Sequence, residues 1–416
     1  MTARAAETVD AIAGKLADPA RVAAITGEPA NCLLVDGQKR SPWSSLSLSC
    51  GNPAVTLLFA ELEDRERAHD YLAAGLVDPL WTAKAGLFGG MGSIAFAAAA
   101  ASRAYGGYSA LLSQFDSAMA AGAGPWAAAE RARVEAGEPI GSWSYDVVSG
   151  FSGVGRHLLS RYETTANPAT RTAVIELLSA LVAIAVAGVP AWWVHHGRNR
   201  QPHTGHLNFG LAHGIAGPLA FLSIAWRAGV RVPRQDEAID KIVALLLRVL
   251  STDQAGPYWP HTLSQLENAV GERPRDVWCY GGAGIARALF LAGSATGNPA
   301  WEALAHQSLH SALTTSNNLD YGLCHGWAGL LHITTVMAYD SQNSDYQAAA
   351  TGIADRICDA YDEKLPFGFQ AAHPLAAQDL NRPGFLEGSA GIALALHSYA
   401  TGRPPRTQWD AALLLT

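Results

Sequence analysis

A chain of 416 residues is longer than one ordinary compact domain, and 49% hydrophobic against 16% charged residues is ample for a sizeable core. Its 29 basic and 36 acidic residues leave a formal charge of −7 with no basic tract, which argues against a nucleic-acid partner. Five cysteines (Cys32, Cys50, Cys279, Cys324, Cys358), an odd number at irregular spacing, argue against a disulfide framework.

The chain opens with Arg4, Glu7, Asp10 and Lys15 and lacks the apolar core of a signal peptide. Residues 1–60 read as an N-terminal extension packed on the rest, with a loop-like patch from Ser41 to Pro53. Residues 61–416 read as the main domain, beginning with a charged helical segment from Glu61 to Ala73. A glycine-rich phrase then recurs six times: Gly89-Gly-Met-Gly92, Gly150-Phe-Ser-Gly153, Gly214-Ile-Ala-Gly217, Gly281-Gly-Ala-Gly284, Gly326-Trp-Ala-Gly329 and Gly388-Ser-Ala-Gly391. Each copy leads into an apolar run such as Ile285-Ala-Arg-Ala-Leu-Phe-Leu. Between the copies, Arg171–Val186, Glu237–Leu250, Trp301–Leu313 and Tyr346–Tyr361 carry helical patterns.

One scaffold unit used six times is the simplest account. Each unit supplies an outer helix, a loop ending in Gly-x-x-Gly, and an inner helix; no strand ladder of period two is evident. The expected fold is all-α, a double ring of helices closing as a six-hairpin α/α toroid with its glycine loops at one end. Residues 188–207, with Trp192-Trp-Val-His-His-Gly-Arg-Asn-Arg-Gln-Pro-His-Thr-Gly-His206, form a polar excursion that reads as a substrate-facing loop. Arg198 and Arg200 are its cationic contacts in that reading. The apolar stretch from Ala180 to Val194 is interrupted by Gly188 and Pro190 and is too short to span a bilayer. No transmembrane segment is expected. The expected location is cytoplasmic, with peripheral attachment to a membrane complex left open.

The residues just before the glycines change from copy to copy: Ser149, His213, Cys279-Tyr280, Cys324-His325 and Glu387. Cys279 and Cys324-His325 share one repeat position, so closure of the ring would bring three N/S donors together. Three protein donors with an open fourth position suit a catalytic zinc. The competing account is that cysteines beside glycine serve as small packing residues. His157, His332 and His397 fall in inner-helix runs and read as core or lining residues. His195, His196, His203 and His206 are too loosely spaced for a second metal site. Cys32, Cys50 and Cys358 read as structural and lacking the glycine context, while Tyr280 and Trp327 either line a pocket or pack.

Trp278-Cys-Tyr-Gly281 and Leu323-Cys-His-Gly326, set in this series of Gly-x-x-Gly helix starts, resemble the LanC family of lanthipeptide cyclases. The resemblance covers about residues 86–396. One departure is Gly282-Ala283, where family members often carry a proline. The resemblance implies an α/α toroid with Zn2+ held by Cys279, Cys324 and His325. It implies catalytic roles for His213 and Asp146, and places Arg275 near the site, although Asp146 also suits a helix cap and Arg275 a solvated surface.

The implied reaction is addition of a cysteine thiol to a dehydroalanine or dehydrobutyrine of the same peptide, giving a (methyl)lanthionine thioether. The implied partners are a dehydrated precursor peptide with its leader, a separate dehydratase and a transporter complex. Three alternatives stand beside it. A related protein of the family would add glutathione or another thiol to dehydrated proteins. A toroid glycosidase would need two opposed carboxylates from among Asp146, Asp253, Asp276 and Glu387. A non-catalytic peptide-binding scaffold would use zinc only to hold its ring.

Overall fold

The computed structural model describes residues 2–82, 86–196, 202–264, 273–317 and 319–416. In chain order these form α1 (Thr2–Lys15), α2 (Pro19–Thr26), the hairpin β1 (Leu33–Val35) and β2 (Gln38–Arg40), α3 (Asn52–Glu61), α4 (Arg65–Leu76) and α5 (Gly90–Tyr105). Then come α6 (Ser109–Glu135), the single turn α7 (Ser142–Tyr145), α8 (Phe151–Thr165), α9 (Pro168–Ala187), α10 (Val189–Trp192), β3 (Val194–His196) and β4 (Pro202–Asn208). The remainder is α11 (Ala216–Arg227), α12 (Gln235–Arg248), β5 (Ser251–Asp253), β6 (Gly256–Tyr258), β7 (Thr262–Ser264), α13 (Gly282–Thr296), α14 (Pro299–Thr315), α15 (Trp327–Ser341), α16 (Ser344–Asp359) and α17 (Ser389–Thr401).

The chain divides into two compact units. The first comprises Met1–Lys84, Phe88–Leu112 and Asn317–Trp409. Within it α15 packs on α17, α17 on α3 and α3 on α5, while α16, α1 and α4 cover α15, α17 and α3. The second comprises Ala85–Leu87, Ser113–Ser316 and Asp410–Thr416. Here α8, α11 and α13 lie side by side, covered by α9, α12 and α14. The expected alternation of inner and outer helices is therefore present in each unit. A further buried helix, α3, announced by none of the glycine phrases, packs on α5 and α17 in the first unit, and it runs through residue 60. It escaped the repeat count because its entry, Gly51-Asn-Pro-Ala54, replaces the second glycine by alanine. Cys50 immediately precedes Gly51, so it does occupy the glycine context that the sequence reading denied it.

Inner and outer helices start differently, and the difference sets up the site. Outer helices α4, α9, α14 and α16 open on Asp64, Asn167, Asn298 and Asn343, whose side chains accept first-turn N–H groups. Inner helices α5, α8, α13, α15 and α17 open on glycine with no side-chain cap. Their first turns instead lie against the preceding loop. A Cβ on Gly329 would overlap the Leu323 carbonyl oxygen, and one on Gly284 the Trp278 carbonyl oxygen, each six residues earlier. Glycine is what permits that approach. The residue before each phrase is thereby pinned at a helix N-terminus, where the dipole favours anionic groups.

Short strands form where none was expected, because elements of mostly three residues leave no period-two signal. β3, β4 and β7 make an antiparallel sheet in the order β3-β4-β7. The polar excursion supplies α10, β3 and β4, and its Trp192 is buried edge-on against Tyr145. Arg198 and Arg200, the contacts expected of it, lie outside the described residues. Helix α9 is long and apolar enough to cross a bilayer by length and composition, and 56% of its apolar window is buried.

The second unit contains a buried ion pair between α8 and α6. Arg161 donates to Asp116 through Nε at 2.9 Å and Nη2 at 2.8 Å, with both side chains almost wholly buried. Asp116→Ala would strand a buried guanidinium, so unfolding free energy should fall by about 3–5 kcal/mol. A urea titration of the variant beside the parent checks this; a change within about 0.5 kcal/mol, the usual surface effect, would show that water reaches the pair.

Candidate active site

In the second unit, backbone hydrogen bonds tie successive pre-glycine loops together. Val147 N–H donates to Ala212 O at 3.0 Å, and Ala212 N–H to Cys279 O at 3.3 Å. The loop carrying Asp146 thus lies beside the loop carrying His213, and that beside Cys279. Asp146 is buried and fully engaged. Its Oδ1 accepts from the N–H groups of Ser149 (2.6 Å) and Gly150 (2.9 Å), and its Oδ2 lies 2.7 Å from His213 Nδ1. One oxygen of the carboxylate thus holds the turn that leads into α8, and the other holds the His213 ring. His213 is 43% exposed against 3% for Asp146, so the ring is held from behind and open in front. A neutral imidazole donating from Nδ1 to a carboxylate carries its lone pair on Nε2.

Cys279 is buried on the approach to α13, whose N-cap residue Gly281 has φ +85°, a conformation that favours glycine. Its neighbours are braced on both sides. Trp278 Nε1–H donates to Leu413 O at 3.0 Å, within a C-terminal stretch that also accepts from Arg287 (Leu415 O) and Arg156 (Thr416 O). Tyr280 OH accepts from Asn208 Nδ2 at 3.2 Å, at the end of β4, so the polar excursion feeds directly into this site. Of the two options for Tyr280 and Trp327, Trp327 packs: it is buried with Arg356 over its ring at 4.4 Å.

Arg275 is exposed, and its carbonyl accepts from His261 Nε2 at 3.0 Å. The arginine that does organise this loop is Arg273, which the sequence reading did not single out. It bonds Asp253 (2.8 Å), Asp276 (2.9 Å) and Gly256 O (2.8 Å) and lies over the Tyr258 ring. Asp276 Oδ1 in turn accepts from Gly282 N–H at the start of α13. Burial pushes the Asp276 carboxyl above its usual range, opposed by that N–H and by Arg273. Two acidic residues flanking Glu-Arg-Pro-Arg at long and short range were the available signal, but Asp253 is too distant in sequence to pair by inspection.

In the first unit, Cys324 N–H donates to Leu386 O at 2.7 Å, and Phe385 N–H to Ser49 O at 2.8 Å. His325 Nε2 lies 3.0 Å from Asp320 Oδ2 and 3.9 Å from Glu387 Oε1, and Glu387 pairs with Arg382. The carboxylates a glycosidase would draw on are thus committed: Asp146 to His213, Asp253 and Asp276 to Arg273, Glu387 to Arg382.

Cys279, Cys324 and His325 each offer one donor atom, all within 4.8 Å of one another. An ion bonding sulfur at about 2.3 Å and nitrogen at about 2.0–2.1 Å closes such a span with small side-chain movements. Two thiols and an imidazole form a donor set suited to zinc rather than to hard cations. His213 and Cys50 are not in this group, although both sit at the same repeat position. His157 and His332 are buried, as core residues should be, with His332 against Trp409. No two of the five cysteines are joined by a disulfide.

These features can be set beside known proteins. Nisin biosynthesis protein NisC of Lactococcus lactis subsp. lactis is 26% identical over 294 residues, which is 65% of this chain; the chain spans 64% of that relative's length. The solved structure of nisin cyclase superposes with a TM-score of 0.69 at 23% identity, covering 89% of this chain and 92% of that one. That likeness establishes the fold as an α/α toroid. The family model for lanthionine synthetase C-like protein matches residues 42–414, and the chain belongs to that family.

Proposed function

We propose that this chain is a zinc-dependent lanthipeptide cyclase, forming (methyl)lanthionine rings by adding cysteine thiols to dehydroalanine or dehydrobutyrine within one peptide. The observation that carries the reading is the donor group Cys279, Cys324 and His325 in a member of the lanthionine synthetase C-like family. The names of NisC and nisin cyclase support it. Zinc, when bound, would act as a Lewis acid that lowers the pKa of a substrate thiol while two anionic sulfur ligands keep that thiolate nucleophilic.

The protein's own groups account for the protons. His213, held at Nδ1 by Asp146, has the lone pair on Nε2 needed to accept the thiol proton. Sulfur then bonds the β-carbon, and the alkene electrons move onto the α-carbon and its carbonyl as an enolate. Arg275, exposed four residues before Cys279 in the chain, would offset that charge. A proton delivered to the α-carbon completes the addition, with no atom lost. On this reading the cyclase domain takes in α3 (Asn52–Glu61) as well as 61–416, the extension is confined to the residues before it, and 188–207 contacts the peptide. The partners are a dehydrated precursor with its leader, a separate dehydratase and a transporter complex, and the protein works in the cytoplasm.

The test is direct. Cyclisation leaves peptide mass unchanged but consumes thiols, so a dehydrated precursor incubated with enzyme should lose its ability to take up a thiol-alkylating tag. Tag uptake equal to the enzyme-free control would sink the proposal. Mass increase only with added glutathione would move the activity to intermolecular thiol addition.

A further inference from the structure

The loop that carries Cys324 and His325 is closed at both ends by one residue, Asp320. Its carbonyl oxygen accepts from Trp327 N–H at 2.8 Å, fixing the start of α15. Its Oδ1 accepts from Gly322 N–H at 2.8 Å, which fixes the carboxylate within its own turn. The remaining oxygen, Oδ2, lies 3.0 Å from His325 Nε2. Glu387, beside Arg382, places a second carboxylate 3.9 Å from the same ring nitrogen.

We propose that Asp320 is the positioning residue for His325, and that it makes Nδ1 the metal-binding atom of that ring. The proposal rests on the zinc reading above. A neutral imidazole has one N–H and one lone pair, and an ionised carboxylate only accepts. Asp320 Oδ2 therefore places the proton on Nε2 and the lone pair on Nδ1. The carboxylate is already anchored by Gly322, so its direction does not depend on the imidazole. A ligating histidine that donates its other N–H to a carboxylate is fixed in orientation and tautomer, and is a stronger donor to its ion. Neither Asp320 nor Glu387 belongs to the group of mutually close donors, consistent with both lying on the far side of the ring.

Asp320→Asn is the discriminating substitution, because it keeps an acceptor for Gly322 while turning an amide donor toward Nε2. That reverses the hydrogen-bond polarity and moves the ring proton onto Nδ1. Zinc affinity, measured by competition with a chromophoric chelator, should fall by about 10–100-fold, the usual scale for such partners. The visible spectrum of the cobalt-loaded protein should change, whereas thermal unfolding of the metal-free protein should match the parent. Unchanged zinc affinity and cobalt spectrum would overturn the proposal. A measurement on the parent needs no variant: long-range 1H–15N spectra of the zinc-loaded protein should show His325 protonated at Nε2 and metal-shifted at Nδ1. The reverse pattern overturns the assignment even while the zinc reading stands. Parent protein that binds no zinc overturns both.

Discussion

Cys324→Ala is expected to lose most of its zinc, and with it thiol addition to dehydrated peptide. Removing a partner that only orients a ligand costs about 10–100-fold in metal affinity, so removing a ligand should cost more than that. Cys324 sits at the mouth of α15 with its N–H bonded to Leu386 O, a backbone bond that alanine retains. The loop should therefore keep its shape, and the loss should be one of chemistry. The sharper comparison is Cys50→Ala. Cys50 also precedes a glycine at the start of a buried inner helix, yet it stands outside the group of close donors. Elemental analysis of purified protein should find about one zinc per chain in the parent and in Cys50→Ala, and far less in Cys324→Ala and Cys279→Ala. Zinc retained in Cys324→Ala, or lost in Cys50→Ala, would redraw the site.

That comparison also shows what could be read from the residues and what could not. The glycine phrases disclosed the inner helices because the second glycine answers a steric demand, the carbonyl six residues earlier, that recurs at Gly153, Gly217, Gly284, Gly329 and Gly391. Where that demand is relaxed, at Ala54, the helix remained but its mark vanished, and α3 and Cys50 were misplaced together. Cys279, Cys324 and His325 were legible because reactive residues stood beside a repeated landmark. Asp146 and His213 were named from family resemblance, and their 2.7 Å bond is a long-range contact that no local pattern encodes. Arg273 and Asp320 escaped notice although each has a partner within five residues, Asp276 and His325, because spacing alone does not show which side chains a folded loop turns together. Strands β3 and β6, of three residues each, are too short to show a period.

His213→Asn is expected to keep its zinc while cyclisation slows by about 10²–10⁴-fold, the range typical of a positioned acid–base group. The choice of asparagine matters. Asp146 is buried and presents Oδ2 to residue 213, so an apolar replacement would leave a carboxylate oxygen without its partner and confound catalysis with folding. An asparagine amide can donate to that oxygen but has no group that takes up and returns a proton near neutral pH. The zinc donors are already accounted for by Cys279, Cys324 and His325, so metal content should not follow the imidazole. Two measurements on the same preparation decide the matter: zinc per chain, and the rate of thiol loss from dehydrated peptide at saturating substrate. A variant that loses zinc in proportion to activity would make His213 a ligand. One that keeps both zinc and rate would remove the Asp146–His213 pair from the chemistry and leave a substrate group or solvent to move the proton.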